Sequence, residues 1–261
     1  YSDNCGPNLS PTAGAVCVYD TKADSFTDIT PDLGDGRQGG FGGISVDAQN
    51  PDAVVVSTLG WWSDNGDNLY YTTDGGKTWS GLFNLNTKEN NYQMDTSRAA
   101  WLDWGRGENQ AKTGWWVADV NINPFNSDEV MYGTGATIYS TENMTKIGTE
   151  PVTIAFDAYG LEETAVFKML APPSKDNSPQ LYSIMGDLPG FAHEDVTKCP
   201  DDAHFMKNGK PTDLDVAFQN PNTAVYLSEE KTTTINFTTD GGATWETVKH
   251  KPDPETGGQV A

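Results

Sequence analysis

The chain has 261 residues, a formal net charge of -21, a pI near 4.2 and a mean hydropathy of -0.56. So acidic a chain repels phosphate backbones and anionic lipid, and no apolar run is long enough to cross a bilayer, so neither nucleic acid nor membrane is an expected partner. Only 36% of residues are hydrophobic while 11% are aromatic, and 27 Gly and 15 Pro are scattered throughout, a composition of many short strands and turns without a low-complexity tract.

In chain order, the sequence opens on Tyr1-Ser2-Asp3-Asn4-Cys5 with no basic-then-apolar segment, so a leader has been removed or the chain starts inside a longer protein. Cys5 and Cys17 flank a turn-rich stretch that a disulfide would close, and Cys199 has no evident partner. Residues 14–19 read as a strand, followed by a turn at 20–26. Residues 46–56, 120–132 and 216–226 each read as strand, Asn/Pro turn, strand, and residues 166–184 are a looser version. An octapeptide is duplicated: Thr72-Thr73-Asp74-Gly75-Gly76-Lys77-Thr78-Trp79 recurs as Thr238-Thr239-Asp240-Gly241-Gly242-Ala243-Thr244-Trp245, with one position changed. Its chemistry is that of a hairpin turn. The Asp side chain accepts backbone N–H groups ahead of it, the glycine pair supplies positive φ, the threonines satisfy the rest, and the Trp anchors the returning strand. Residues 20–26 and 140–144 are degenerate relatives. Asn8, Asn143 and Asn236 each begin an Asn-x-Ser/Thr sequon, which fits a secretory route.

Strand, turn, strand, loop, strand, octapeptide, strand is one blade of a β-propeller, and the sequence holds about four such blades. The fold class is therefore all-β, built of propeller blades. The chain opens inside a blade at 14–19, and residues 257–261 read as the first strand of another. An array that stopped there would leave bare strand edges, so the expectation is one part of a longer propeller protein.

The octapeptides match the Asp-box pattern, a structural turn of several propeller families. More specific are Phe41-Gly42-Gly43-Ile44-Ser45-Val46-Asp47, Val56-Ser57-Thr58-Leu59-Gly60-Trp61-Trp62, residues 114–125, residues 131–139, residues 160–166 and Met185-Gly186-Asp187-Leu188-Pro189-Gly190-Phe191-Ala192-His193-Glu194-Asp195. In this order they resemble glycoside hydrolase family 74, the xyloglucanases and reducing-end-specific oligoxyloglucan hydrolases. The resemblance implies a tandem of seven-bladed propellers clasping a cleft. Residues 1–160 would supply later blades of the N-terminal propeller and residues 161–261 the first blades of the C-terminal one. It further implies secretion, a xyloglucan or related β-glucan oligosaccharide as substrate, and the remainder of the same enzyme chain as the partner completing both rings.

Enzymes of this family invert the anomeric centre with two carboxyl groups, and the general acid of their motif falls on Asp187. Inversion sets the pair roughly 6.5–9.5 Å apart to admit a water, and the acid must be held protonated by burial or by its partner's charge. No counterpart of the general base is evident in this chain. Where the family prefers Gly, this sequence has Pro189, which fixes φ and removes an N–H two residues after Asp187. Six tryptophans outside the octapeptides crowd into residues 61–116. Flat exposed rings stack on sugar faces. The family's consecutive Trp pair points to Trp61 and Trp62 as sugar platforms, and Trp101 and Trp104 are further candidates. Trp115 and Trp116, followed directly by a strand pattern, read as core. His193 is a candidate sugar contact.

A sialidase also pairs Asp boxes with a propeller, but it grips a carboxylate with three arginines, and Arg37, Arg98 and Arg106 lack that context. A non-catalytic Asp-box binding module would lack the Gly-Asp motif and the clustered tryptophans. His193, His204 and His250 show no zinc spacing. The stretches Asp64-Asn65-Gly66-Asp67 and 195–202 are acidic without the spacing of a calcium loop, so no metal or cofactor is expected.

Overall fold

A computed structural model describes residues 13–34, 36–37, 39–61, 66–99, 113–135, 137–160, 165–173, 178–186, 190–198, 200, 210–229, 232–250 and 258–261. The chain forms two compact units, one of Tyr1–Ala99 with Gln110–Glu162, the other of Ala100–Asn109 with Glu163–Ala261.

The first unit contains the hairpin β1 (Cys17–Asp20) and β2 (Ser25–Asp28), followed by an antiparallel sheet of β3 (Gly40–Val46), β4 (Val54–Leu59), β5 (Leu69–Thr72) and β6 (Ser80–Gly81). A second sheet runs β7 (Tyr92–Asp95), β11 (Val152–Phe156), β10 (Ile138–Thr141), β9 (Asn126–Gly133), β8 (Asp119–Asn123). In the second unit β12 (Val166–Leu170), β13 (Leu181–Met185) and β14 (Gly190–His193) form one sheet. There β15 (Lys210–Val216), β16 (Ala224–Glu229), β17 (Thr233–Thr238) and β18 (Glu246–Thr247) form the other. Short meandering strands joined by turns are what a chain poor in helix formers and rich in Gly, Thr, Val and Tyr favours. These are propeller blades. The only helix among the described residues is the single 3-10 turn Met144–Lys146.

Packing follows from the alternation of strand faces. β4 is buried on both faces, and Val55, Val56 and Leu69 are inaccessible. In the second unit Tyr182 and Ile184 of one sheet meet Leu214, Val216, Ala224 and Tyr226 of the next, with Trp245 closing the cluster. Each such aliphatic or aromatic side chain contributes about 1.5–3 kcal/mol on burial.

Both Asp boxes fold as the octapeptide chemistry predicts, and nearly identically. Thr72 Oγ1 donates to Asp74 Oδ1 (2.8 Å) and accepts from Gly76 N (3.0 Å), while Asp74 accepts from Thr78 N (2.9 Å) and Thr78 Oγ1 (2.7 Å). The matching distances around Thr238, Asp240, Gly242 and Thr244 are 2.7, 3.0, 2.9 and 2.6 Å. Both boxes are also stapled to the first turn of their own blade, Gly75 N donating to Asp52 O and Gly241 N to Asn222 O, each at 2.9 Å.

Those bonds to the charged form lower the pKa of both Asp74 and Asp240 from 3.8 to about 2, chiefly through Thr78 and Thr244. A depressed carboxyl pKa stabilises the fold above the unfolded value of 3.8 and loses that contribution as pH falls through about 2. Unfolding midpoints should therefore hold to about pH 4 and decline steeply toward pH 2, a limb that Asp74→Asn or Asp240→Asn flattens. Parallel acid profiles for the variants and the parent would contradict this.

The degenerate box at 140–144 keeps half of the device. Thr141 Oγ1 donates to Asn143 Oδ1 (3.0 Å), which also accepts from Thr153 N (2.9 Å), and Asn143 Nδ2 donates to Pro151 O (3.2 Å). The Nδ2 that a glycan would use is thus engaged inside the turn. Asn236 is 3% exposed, and its amide bonds Ser228, Thr234 and Thr247. Both sequon amides are thus engaged in the fold's own hydrogen bonds, and Asn8 lies outside the described residues. Of the cysteines, Cys17 is exposed at the start of β1, with no disulfide partner among the described residues, while Cys5 and Cys199 fall outside them.

One sheet departs from the four-stranded pattern. β7 adds to the outer edge of β11 in parallel, Tyr92 opposite Val152 through Asp95 opposite Ala155. Asn91 sets that register, its N donating to Leu82 O (2.7 Å) and its carbonyl accepting from Val152 N (2.8 Å).

Candidate active site

Each blade has two ends. In the first unit the Asp box and the β3–β4 turn share one end. The β4–β5 connection, which carries Trp61 and Trp62, leaves from the other and meets the segment leading into β8, Asp67 N donating to Gly114 O (2.7 Å). In the second unit Tyr182, early in β13, donates its hydroxyl to Gly241 O at the Asp-box end (2.9 Å). The β13–β14 connection, which carries Asp187, leaves β13 at the opposite end. Within its own unit, then, each connection bearing a candidate residue departs from the end away from the structural turns.

Asp187, Trp62, Trp101 and Trp104 lie outside the described residues, but the frame around Asp187 is defined. β13 and β14 pair up to Ile184 opposite Gly190, and Gly186 N donates to Ala165 O (2.8 Å). The general-acid candidate therefore sits on a short connection rooted on both sides in paired backbone. His193, three residues beyond Gly190 on β14, is half-buried. Its Nε2 lies 2.9 Å from Ser183 Oγ, its ring packs 5.9 Å from Phe191, and burial lowers its pKa. A neutral imidazole held by a buried serine orients its other edge, which suits a polar contact better than an ionic one.

Trp61 differs from the open platform expected of it. It is 6% exposed, with the Arg37 guanidinium 4.8 Å above its ring and Phe83 at 6.5 Å. Its backbone N–H donates to the buried Asp67 carboxylate (2.9 Å). Trp115 and Trp116 also differ from the core reading, for both are half-buried. Trp116 adopts φ 60°, and its ring lies so close over Gly135 that a Cβ there would sit 2.3 Å from it.

Asp67, read in the sequence only as part of an acidic stretch, is the residue that reasoning missed. Its carboxylate is buried and accepts from Thr58 Oγ1, Trp61 N, Gly60 N and Val117 N, so its oxygens are turned to protein donors. Burial raises its pKa, and those four bonds pull it back in part. Nothing in the spacing of 64–67 distinguishes a residue that faces inward, so the signal was absent from the sequence. In the second unit Asp213 ties consecutive sheets, holding Lys168 Nζ (2.7 Å) and Val260 N (2.8 Å).

No family model matches the chain. It is 36% identical over 277 aligned positions to "Xyloglucanase Xgh74A" of Acetivibrio thermocellus, covering all of this chain and 32% of that protein. It is 33% identical to an "Oligoxyloglucan-reducing end-specific xyloglucanase" of Emericella nidulans, covering 75% of this chain and 28% of that one. Among solved structures, the GH74 xyloglucanase of Xanthomonas campestris superposes with a TM-score of 0.74 at 25% identity, covering 97% of this chain and 35% of the other. The GH74 enzyme of Niastella koreensis also superposes with a TM-score of 0.74 at 25% identity. The chain spans about a third of the length of the curated relatives it matches. Blades with twin Asp boxes, a Gly-Asp connection at the opposite end and likeness along the whole chain to these enzymes place it in glycoside hydrolase family 74.

Proposed function

We propose that this chain supplies the general acid and part of the sugar-binding surface of a secreted, inverting hydrolase acting on the β-1,4-glucan backbone of xyloglucan. The observation that carries this reading is likeness to xyloglucanases over the full chain, with Asp187 in the Gly-Asp motif. In this mechanism Asp187 delivers its proton to the glycosidic oxygen as the bond to the anomeric carbon breaks. A water, activated by a carboxylate outside this chain, attacks the opposite face. Trp62, Trp101 and Trp104 offer ring faces to the sugars, and His193 a hydrogen bond. Trp61, with its ring covered, anchors the root of the connection. The acidic chain suits an uncharged polymer, and a polymer too large to enter cells calls for a secreted enzyme.

The test is incubation of the intact protein with xyloglucan, following new reducing ends and the anomer first released by proton NMR. Reducing ends appearing first as the α-anomer are expected. Release of the β-anomer first would overturn the inverting mechanism, and no release would overturn the substrate.

A further inference from the structure

Asp67 is 1% exposed and has no salt bridge among the described residues. A buried carboxylate without a cation is costly unless hydrogen bonds replace its hydration. Here they do. Oδ1 accepts from Trp61 N (2.9 Å) and Thr58 Oγ1 (3.1 Å), and Oδ2 from Gly60 N and Val117 N (both 3.1 Å). The Thr58 hydroxyl also accepts from Asn68 N (2.8 Å), which fixes it as a donor toward Asp67. On the main chain, Asp67 N donates to Gly114 O (2.7 Å), and Thr113 Oγ1 donates to Asp67 O (2.6 Å). The side chain thus joins segments 50 positions apart.

The donor set explains the residue type. All four groups facing the side chain give protons, so only an acceptor-only group satisfies them. An amide of the same shape would set its own N–H hydrogens against two donors.

What is clamped is the point where function is expected. Trp61 N–H roots the connection that continues to Trp62, and Val117 N–H belongs to the segment of Trp115 and Trp116. We propose that Asp67 is a positioning residue for glucan binding: its carboxylate locks the tryptophan-bearing β4–β5 connection to the segment entering the next blade. This deepens the proposed function and rests on it. Binding gains when ordering is completed before the ligand arrives, so release of the clamp weakens affinity while leaving the chemical step intact.

The experiment compares the intact protein with Asp67→Asn and, as a milder lesion that removes one donor, Thr58→Val. Hydrogen exchange should quicken together at residues 59–61 and 115–118 in Asp67→Asn, by about tenfold, while the Asp-box turns keep their protection. KM for xyloglucan should rise about tenfold with kcat within about twofold, and Thr58→Val should show the same pattern in weaker form. Unchanged exchange at either segment overturns the clamp. Faster exchange with unchanged KM overturns the positioning role, as does a loss confined to kcat. If the parent protein neither binds nor cleaves xyloglucan, the functional reading fails and this role falls with it. The exchange data, which need no substrate, tell the two failures apart.

Discussion

On the proposed function, Asp187→Asn in the intact protein is expected to lower kcat on xyloglucan by about a hundred- to ten-thousand-fold, the range that a positioned proton donor contributes. KM should change little, because Asn has the same size and still offers a polar contact to the glycosidic oxygen. The leaving group supplies the sharper readout. A glucan alkoxide is a poor leaving group without a proton, whereas an aryl or fluoride leaving group departs without one. The deficit should therefore shrink by at least an order of magnitude on xyloglucan oligosaccharides carrying an activated aryl aglycone. The pH profile should lose its basic limb, since that limb reports deprotonation of the acid. An equal deficit on both substrates would assign Asp187 to binding or to water activation, and near-parent activity would remove it from the chemistry.

The parts of this molecule legible in its sequence are those whose chemistry is local. An Asp box closes its bonds within the octapeptide, so Asp74 and Asp240 could be given partners from spacing alone, and the structure places those partners as expected. Strand and turn alternation gave the blades for the same reason. Long-range features left no trace. β7 joins β11 in parallel across 60 positions, and no periodicity in Tyr92–Asp95 announces it. Asp67 looked like any loop aspartate, because its donors at Val117, Gly60 and Thr58 come together only after two segments cross. Trp61 misled for a related reason: a Trp pair states that rings are present, but which one is covered depends on Arg37 and Phe83. For Phe41-Gly42-Gly43 the sequence offered a family likeness without a cause, and the structure supplies one.

That cause carries the second large expectation. β3 and β8 open consecutive blades of the first unit and pack backbone against backbone. A Cβ on Gly42 would lie 2.2 Å from Val117 O, and one on Gly43 2.6 Å from Val120 N. The gap is bridged beneath by Ser57, buried in β4, whose Oγ accepts from Gly43 N and donates to Val117 O, both at 2.8 Å. Gly42→Ala must therefore push the strands apart, and it strains both Ser57 bonds together with the neighbouring bond from Val117 N to Asp67. A cost of about 3 kcal/mol or more is expected, at the upper end for overpacking, because the obstructing atom is main chain and cannot rotate away. Gly133→Ala, on β9 of the same unit, is the matched control, since an added Cβ there has nothing within 4 Å. That substitution should be neutral or stabilise by about 0.5–1 kcal/mol, through loss of unfolded-chain freedom. Urea midpoints of the intact protein, read at constant slope, measure both. Because the two variants make the same chemical change in strands, opposite signs can only come from the space around each glycine. A parent-like midpoint for Gly42→Ala would mean that β3 and β8 do not meet as described.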